Sequence, residues 1–138
     1  MLPRHDSLDW VIGSDEFTKH ESAWRLTPLE KQSRMLGAWL RAERFAGVDF
    51  SNTLFEKARC EAAMFVEVDL RRADFRGAFL QDARFVGCDL AGATFPGADV
   101  TSAQFIDCWG LEPRIVTSLR QRGAHVSDER ISRNQIHA

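Results

Sequence analysis

Five aspartates, Asp49, Asp69, Asp74, Asp89 and Asp99, and three cysteines, Cys60, Cys88 and Cys108, are the side chains of this 138-residue sequence best suited to chemistry. Carboxylates can serve as general bases, and thiolates as nucleophiles or metal ligands. Neither set has the spacing such work needs. The cysteines lie 28 and 20 residues apart, far from the CxxC of a metal or redox site. The four histidines, His5, His20, His125 and His137, are scattered over the two ends, none at ligand spacing from a Cys, an Asp or a second His. The chain has no HExxH and no glycine-rich phosphate loop. These observations imply a protein that is not an enzyme, with no catalytic or metal site and no cofactor.

The aspartates carry a different message, because all five share one register of five residues. In "RRADFRGAFLQDARF", Arg71 to Phe85, Phe75, Leu80 and Phe85 each follow an alanine by two positions. A helix repeats every 3.6 residues and a strand every 2, so neither accounts for a step of five. Extended outward, the central positions read Phe45, Phe50, Phe55, Cys60, Phe65, Leu70, Phe75, Leu80, Phe85, Leu90, Phe95, Val100 and Phe105, all apolar. Eight of the ten phenylalanines fall on this register, which identifies it as the core. A small or medium residue stands two before each centre, and the aspartates lie between the two. Glycine recurs two after the centre, at Gly47, Gly77, Gly87, Gly92 and Gly97. Each unit therefore supplies two inward side chains, one outward side chain and a turn.

A second period of 20 runs through the first. Phe45, Phe65, Phe85 and Phe105 form one set, Phe55, Phe75 and Phe95 another, with Phe50, Leu70, Leu90 and Cys60, Leu80, Val100 as the other two. Four units per turn describe a square coil with like residues stacked on like. The units "ADFRG", "CDLAG" and "ADVTS" resemble the pentapeptide-repeat family, whose repeat reads roughly A-(D/N)-(L/F)-x-x, and the resemblance covers about residues 43–109. It implies a right-handed quadrilateral β-helix with no internal hydrolytic site; with thirteen units over four faces, the expected fold is an all-β solenoid of about three coils with helical flanks. The early units "TLFEK" and "ARCEA" lack Asp, so a less regular first coil is expected. Cys88 and Cys108 occupy equivalent positions one coil apart. A parallel stack holds such Cβ atoms about 5 Å apart, beyond the roughly 3.5–4.5 Å of a disulfide, which predicts buried free thiols.

A short stack needs covers for its open ends. The expected organisation is an N-terminal helical cap over 1–43, the β-helix over 44–110, and a C-terminal helix and tail over 111–138. Thr27-Pro28-Leu29-Glu30 reads as a helix start, with Leu29, Leu36, Trp39 and Leu40 on one face as far as about Glu43. Ser14-Asp15-Glu16 reads as the start of a shorter helix bearing Phe17 and Trp24. Glu112-Pro113 starts the C-terminal helix, with Ile115, Val116 and Leu119 inward and Gly123 as its stop. Residues 124–138 read as a polar tail or a short final helix.

Function must then lie on the outside. Residues 45–110 carry ten acidic and six basic side chains, so there is no basic stripe for nucleic acid. No apolar run approaches the roughly 20 residues of a membrane span, and the first residues lack a signal-peptide core, so a cytoplasmic protein is expected. Val66, Val86 and Ile106, with Ala46, form an outward apolar stripe. Phe79 points outward on the adjacent face, and Arg71, Arg72, Arg76 and Arg84 fall on the middle coil. The expected contact surface comprises Val66, Val86, Ile106, Phe79, Arg71 and Arg72, and its partner is another protein, with a homodimer the simplest case. The resemblance also brings to mind the acidic DNA mimics that protect gyrase. Three coils are short for imitating duplex, and the arginines interrupt an acidic face.

Overall fold

The computed structural model describes Thr27 and residues 35–127. The step of five is a backbone rhythm. The residue two after each centre has positive φ at fifteen consecutive corners, from Gly37 to Asp107. Six are glycines and nine are not, among them Lys57, Glu67 and Arg72, with φ between 53° and 62° for those nine. At most corners the small residue that follows donates its N–H to the preceding centre's carbonyl, as Ala78 does to Phe75 at 3.0 Å. A positive φ at the third residue of such a turn is the signature of type II geometry. A non-glycine residue costs about 1–2 kcal/mol there. The corner is nonetheless held because the neighbouring coil dictates its position.

Coils pair in parallel at a step of 20 along four ladders. The most regular is a sheet in the order β1 (Arg44–Ala46), β2 (Met64–Val66), β3 (Arg84–Val86), β4 (Gln104–Ile106) and β5 (His125–Val126). The others are bridge ladders: Asp49–Asp69–Asp89–Trp109, Leu54–Asp74–Thr94, and Trp39–Arg59–Phe79–Asp99. Inside, two phenylalanine columns fill the coil. Phe65, Phe85 and Phe105 stack at 4.8 and 4.6 Å, within 4° of parallel, and Phe55–Phe75–Phe95 stack at 4.7 and 5.3 Å. Each column presents its ring edges to the other's faces, as in Phe75–Phe85 at 5.8 Å and 87°. Offset and edge-on ring contacts add about 0.5–1.5 kcal/mol each beyond burial. Leu70, Leu80 and Leu90 are fully buried on the remaining sides, and Phe45 heads the first column.

Several expectations are corrected. The helix anticipated from Pro28 lies outside the described residues over 28–34, as do the Ser14 helix with Phe17 and Trp24 and the tail beyond Ser127. Over 35–43 the chain is solenoid and not helix. Met35 and Leu40 are fully buried centres, Ala38 is the small inward residue, and Trp39 bridges Arg59. Leu36, Trp39 and Leu40 suit a helical face, but Met35 and Leu40 also continue the step of five, and pairing with the next coil selects that register. The solenoid thus begins by Met35, ahead of the boundary expected at 44. The first coil is also regular, since Leu54 and Arg59 join their ladders and Lys57 and Ala62 make ordinary corners.

At the other end α1 spans Pro113–Gln121, with Pro113 at its first turn and Val116 and Leu119 buried. Residues 124–127 are neither a loose tail nor a helix. Arg122 and Gly123 turn the chain back, and His125–Val126 adds the edge strand β5, setting Val126 opposite Phe105. The His125 N–H donates to Ala103 O at 2.8 Å and the Ser127 N–H to Phe105 O at 2.9 Å, so the exposed edge of β4 is paired.

Phe75→Ala should lose about 3–5 kcal/mol in urea melts, as a buried ring vacates its cavity. Phe79→Ala, outward and half-buried, should lose about 1 kcal/mol or less. Equal losses would contradict the register. Where the chain leaves the solenoid, Gly110 has φ +94° and a Cβ there would sit 2.5 Å from Ala91 N. Gly110→Ala should therefore cost at least about 2 kcal/mol. Gly47→Ala, whose Cβ meets nothing within 4 Å, should cost about 1 kcal/mol.

Candidate interaction faces

The aspartates are corner braces. Asp49, Asp69, Asp74, Asp89 and Asp99 each accept the backbone N–H two residues on through Oδ1, at 2.9–3.1 Å. This Asx geometry satisfies an outward N–H at the corner. It also explains why the repeat places Asp before the centre. Asp99 accepts the Thr101 hydroxyl as well, at 2.7 Å, and these two bonds hold its carboxyl below the usual aspartate value. The cysteines are core atoms. Cys60, Cys88 and Cys108 are buried and free, and Cys88 and Cys108 point their thiols at the carbonyls of Phe65 and Phe85, at 3.3 and 3.2 Å. Burial pushes the Cys60 and Cys88 thiols up. Among the described residues no group of His, Cys, Asp or Glu side chains is placed to hold a metal ion.

Val66, Val86 and Ile106 lie in one register column of the sheet, opposite one another and half-buried. α1 packs against β5 at the end of the coil rather than along this stripe. Phe79 belongs to a different ladder. The arginines do not form one basic patch. Arg71 pairs with Asp69 at 2.7 Å, Arg72 donates to Asn52 Oδ1 at 2.7 Å, Arg76 lies 3.7 Å from Asp74, and Arg84 sits on the sheet. Arg71 lies instead beside a shallow hollow of about 500 Å³, with Glu67, Asp69, Asp89 and Trp109 around it.

The most organised outer face is the Trp39 ladder. The Arg59 guanidinium lies between two rings, its Cζ 5.0 Å from the Trp39 centroid and 4.5 Å from Phe79. Arg59 Nε and Nη2 both donate to Glu61 Oε2, at 3.0 and 2.8 Å. Arg41 approaches Glu61 Oε1 at 3.7 Å and Trp39 at 5.8 Å. Burial favours the neutral Glu61 carboxyl, but the Arg59 hydrogen bonds and the charges of Arg59 and Arg41 outweigh it and hold the carboxyl below its ordinary value. Trp39 remains 59% exposed on this rigid backing. Trp39 and Arg59 were not among the expected surface residues. The signal is the step of 20 from Trp39 through Arg59 to Phe79, but Trp39 also suits the apolar face of a helix.

Among the described residues no helix is long and apolar enough to cross a membrane. The family described as pentapeptide repeats matches residues 44–82 and 80–108, in 8 copies. Among solved structures the chain is similar to a pentapeptide repeat protein from the thylakoid lumen of Arabidopsis thaliana. Identity is 22%, the match covers 67% of this chain and 77% of that one, and the TM-score is 0.44. No curated protein matches significantly.

A depressed folded pKa means that Asp99 contributes stability above its unfolded pKa, about 3.9, and loses that contribution as pH falls through the lower folded value. Asp99→Ala should therefore destabilise the protein at pH 7 and have little effect near pH 2. Urea midpoints at the two pH values test this. An equal deficit at both would remove the brace as the cause.

Proposed function

We propose that this chain, whose residues 44–108 match the pentapeptide-repeat family, is a non-enzymatic protein-interaction module built on a short, rigid, right-handed quadrilateral β-helix. The observation that carries this reading is the exposed Trp39, backed by Arg59 and Phe79 on a stiff ladder. Trp and Arg dominate binding hot spots because they combine large apolar area with directional donors. Here their rotamers are already held by ring stacking and by Glu61, so little entropy remains to be lost on docking. The Val66–Val86–Ile106 stripe is a second apolar surface, on the sheet, suited to flat packing against another copy of the chain.

The gyrase-protecting DNA mimic is the weaker reading. A mimic needs unpaired acidic columns, and here the aspartates are occupied as corner braces while Arg71 neutralises Asp69. A cytoplasmic setting suits three reduced thiols in the core.

Light scattering of the wild type, Trp39→Ser and Val86→Arg tests the interaction surfaces. Under self-association through the stripe, the wild type is a dimer and Val86→Arg a monomer. If the wild type is a monomer, the Trp39 face is the docking site. A native partner should then lose at least about ten-fold affinity for Trp39→Ser, the equivalent of about 1.4 kcal/mol. Monomers throughout, with a partner indifferent to both substitutions, would contradict the proposal.

A further inference from the structure

Where α1 crosses the last coil, a cleft of about 490 Å³ opens between the helix and the outer edge of Thr94–Gly97. Its walls are apolar: Phe95 and Pro96 on the solenoid side, Ile115 and Leu119 on the helix. A volume of roughly 300–1,000 Å³ is the range of small-molecule sites. Thr94 and Ser118 also line it, and one charged group stands at its edge. Arg122 turns its guanidinium inward, and Nη1 and Nη2 both donate to Phe95 O, at 2.9 and 2.7 Å. Its Nε is buried with no hydrogen-bond partner. Among the described residues no carboxylate pairs with this cation.

Anchoring Phe95 accounts for two of the five guanidinium donors. It does not account for a cation that no described carboxylate pairs, beside an apolar slot. A half-buried charge without a counter-ion is costly, and a carboxylate on an Nη N–H that the Phe95 carbonyl leaves over relieves that cost. The slot beside it suits a short hydrocarbon chain. We propose that this cleft binds a small carboxylate carrying a short apolar tail, with the tail between Pro96 and α1 and the carboxylate on Arg122. A free fatty acid and the C-terminus of an apolar peptide share that chemistry.

The test is calorimetric titration of the full-length protein with octanoate, and with octanol as the uncharged control. Saturable one-to-one binding of octanoate is expected, with octanol and the Arg122→Gln variant each at least about ten-fold weaker. Ser118→Trp, which fills the slot from the helix, should abolish binding. Circular dichroism establishes that each variant is folded. If Arg122→Gln does not fold, octanol and Ser118→Trp decide the matter alone. Acetyl-Leu-Leu with a free carboxylate, set against octanoate, assigns the source: tighter peptide binding points to a protein C-terminus, tighter octanoate binding to a fatty acid. Octanoate that fails to saturate, or binds equally well to Ser118→Trp, or no better than octanol, would overturn the proposal.

Discussion

Parallel stacking in register at one coil per step is the constraint from which the rest of the molecule follows. Within the coils it sets each side chain over the residue 20 positions earlier, inside and out. Inside, the arrangement is favourable. Identical rings repeat at nearly the strand spacing, so Phe65, Phe85 and Phe105 lie within 4° of parallel. The second column meets them edge-on, and the coil interior fills without needing a different solution on each level. The corners obey the same constraint, which is why Lys57 or Glu67 adopts a backbone conformation that glycine adopts freely.

Outside, the same rule would pile like charges on one another, at a cost of roughly 1 kcal/mol per close pair in water. The ladders manage this in three ways. On the sheet, Met64 separates Arg44 from Arg84. On the Trp39 ladder, aromatic rings flank a single cation, so repulsion gives way to cation–π attraction. Along Asp49, Asp69 and Asp89 the charges do repeat, but each carboxylate accepts its own corner N–H, and Arg71 takes both oxygens of the middle one. The surface chemistry is therefore a consequence of the register, and the face best organised for recognition is the one where that compromise combines Trp, Arg and Phe.

A solenoid must also stop. At the C-terminal end α1 supplies Val116 and Leu119 to the core, and β5 gives the β4 edge its hydrogen-bond partners while Val126 covers the last stacked phenylalanine. A helix alone could bury the rings but could not pair the edge. The crossing of α1 over the last coil leaves the cleft beside Arg122.

The repeating part of this protein was legible in the amino-acid sequence because each unit carries its own instructions. The apolar centre, the small residue two before it, the Asp brace and the glycine-tolerant corner all lie within five residues, and the second period of 20 reveals which centres stack. The buried phenylalanines and the free cysteines followed from that count alone. The tertiary structure decided what the count did not reach. At Met35–Glu43 two periods fit the same residues, and pairing with the next coil chose between them. Trp39 and Arg59 became neighbours only once that choice was made. After Gly110 the rhythm ends, and nothing local to "AHVS" marks a strand. It becomes one because the open edge of β4 offers hydrogen bonds to whatever chain the turn at Gly123 brings back. Local chemistry suffices where each unit repeats, and long-range pairing decides where it does not.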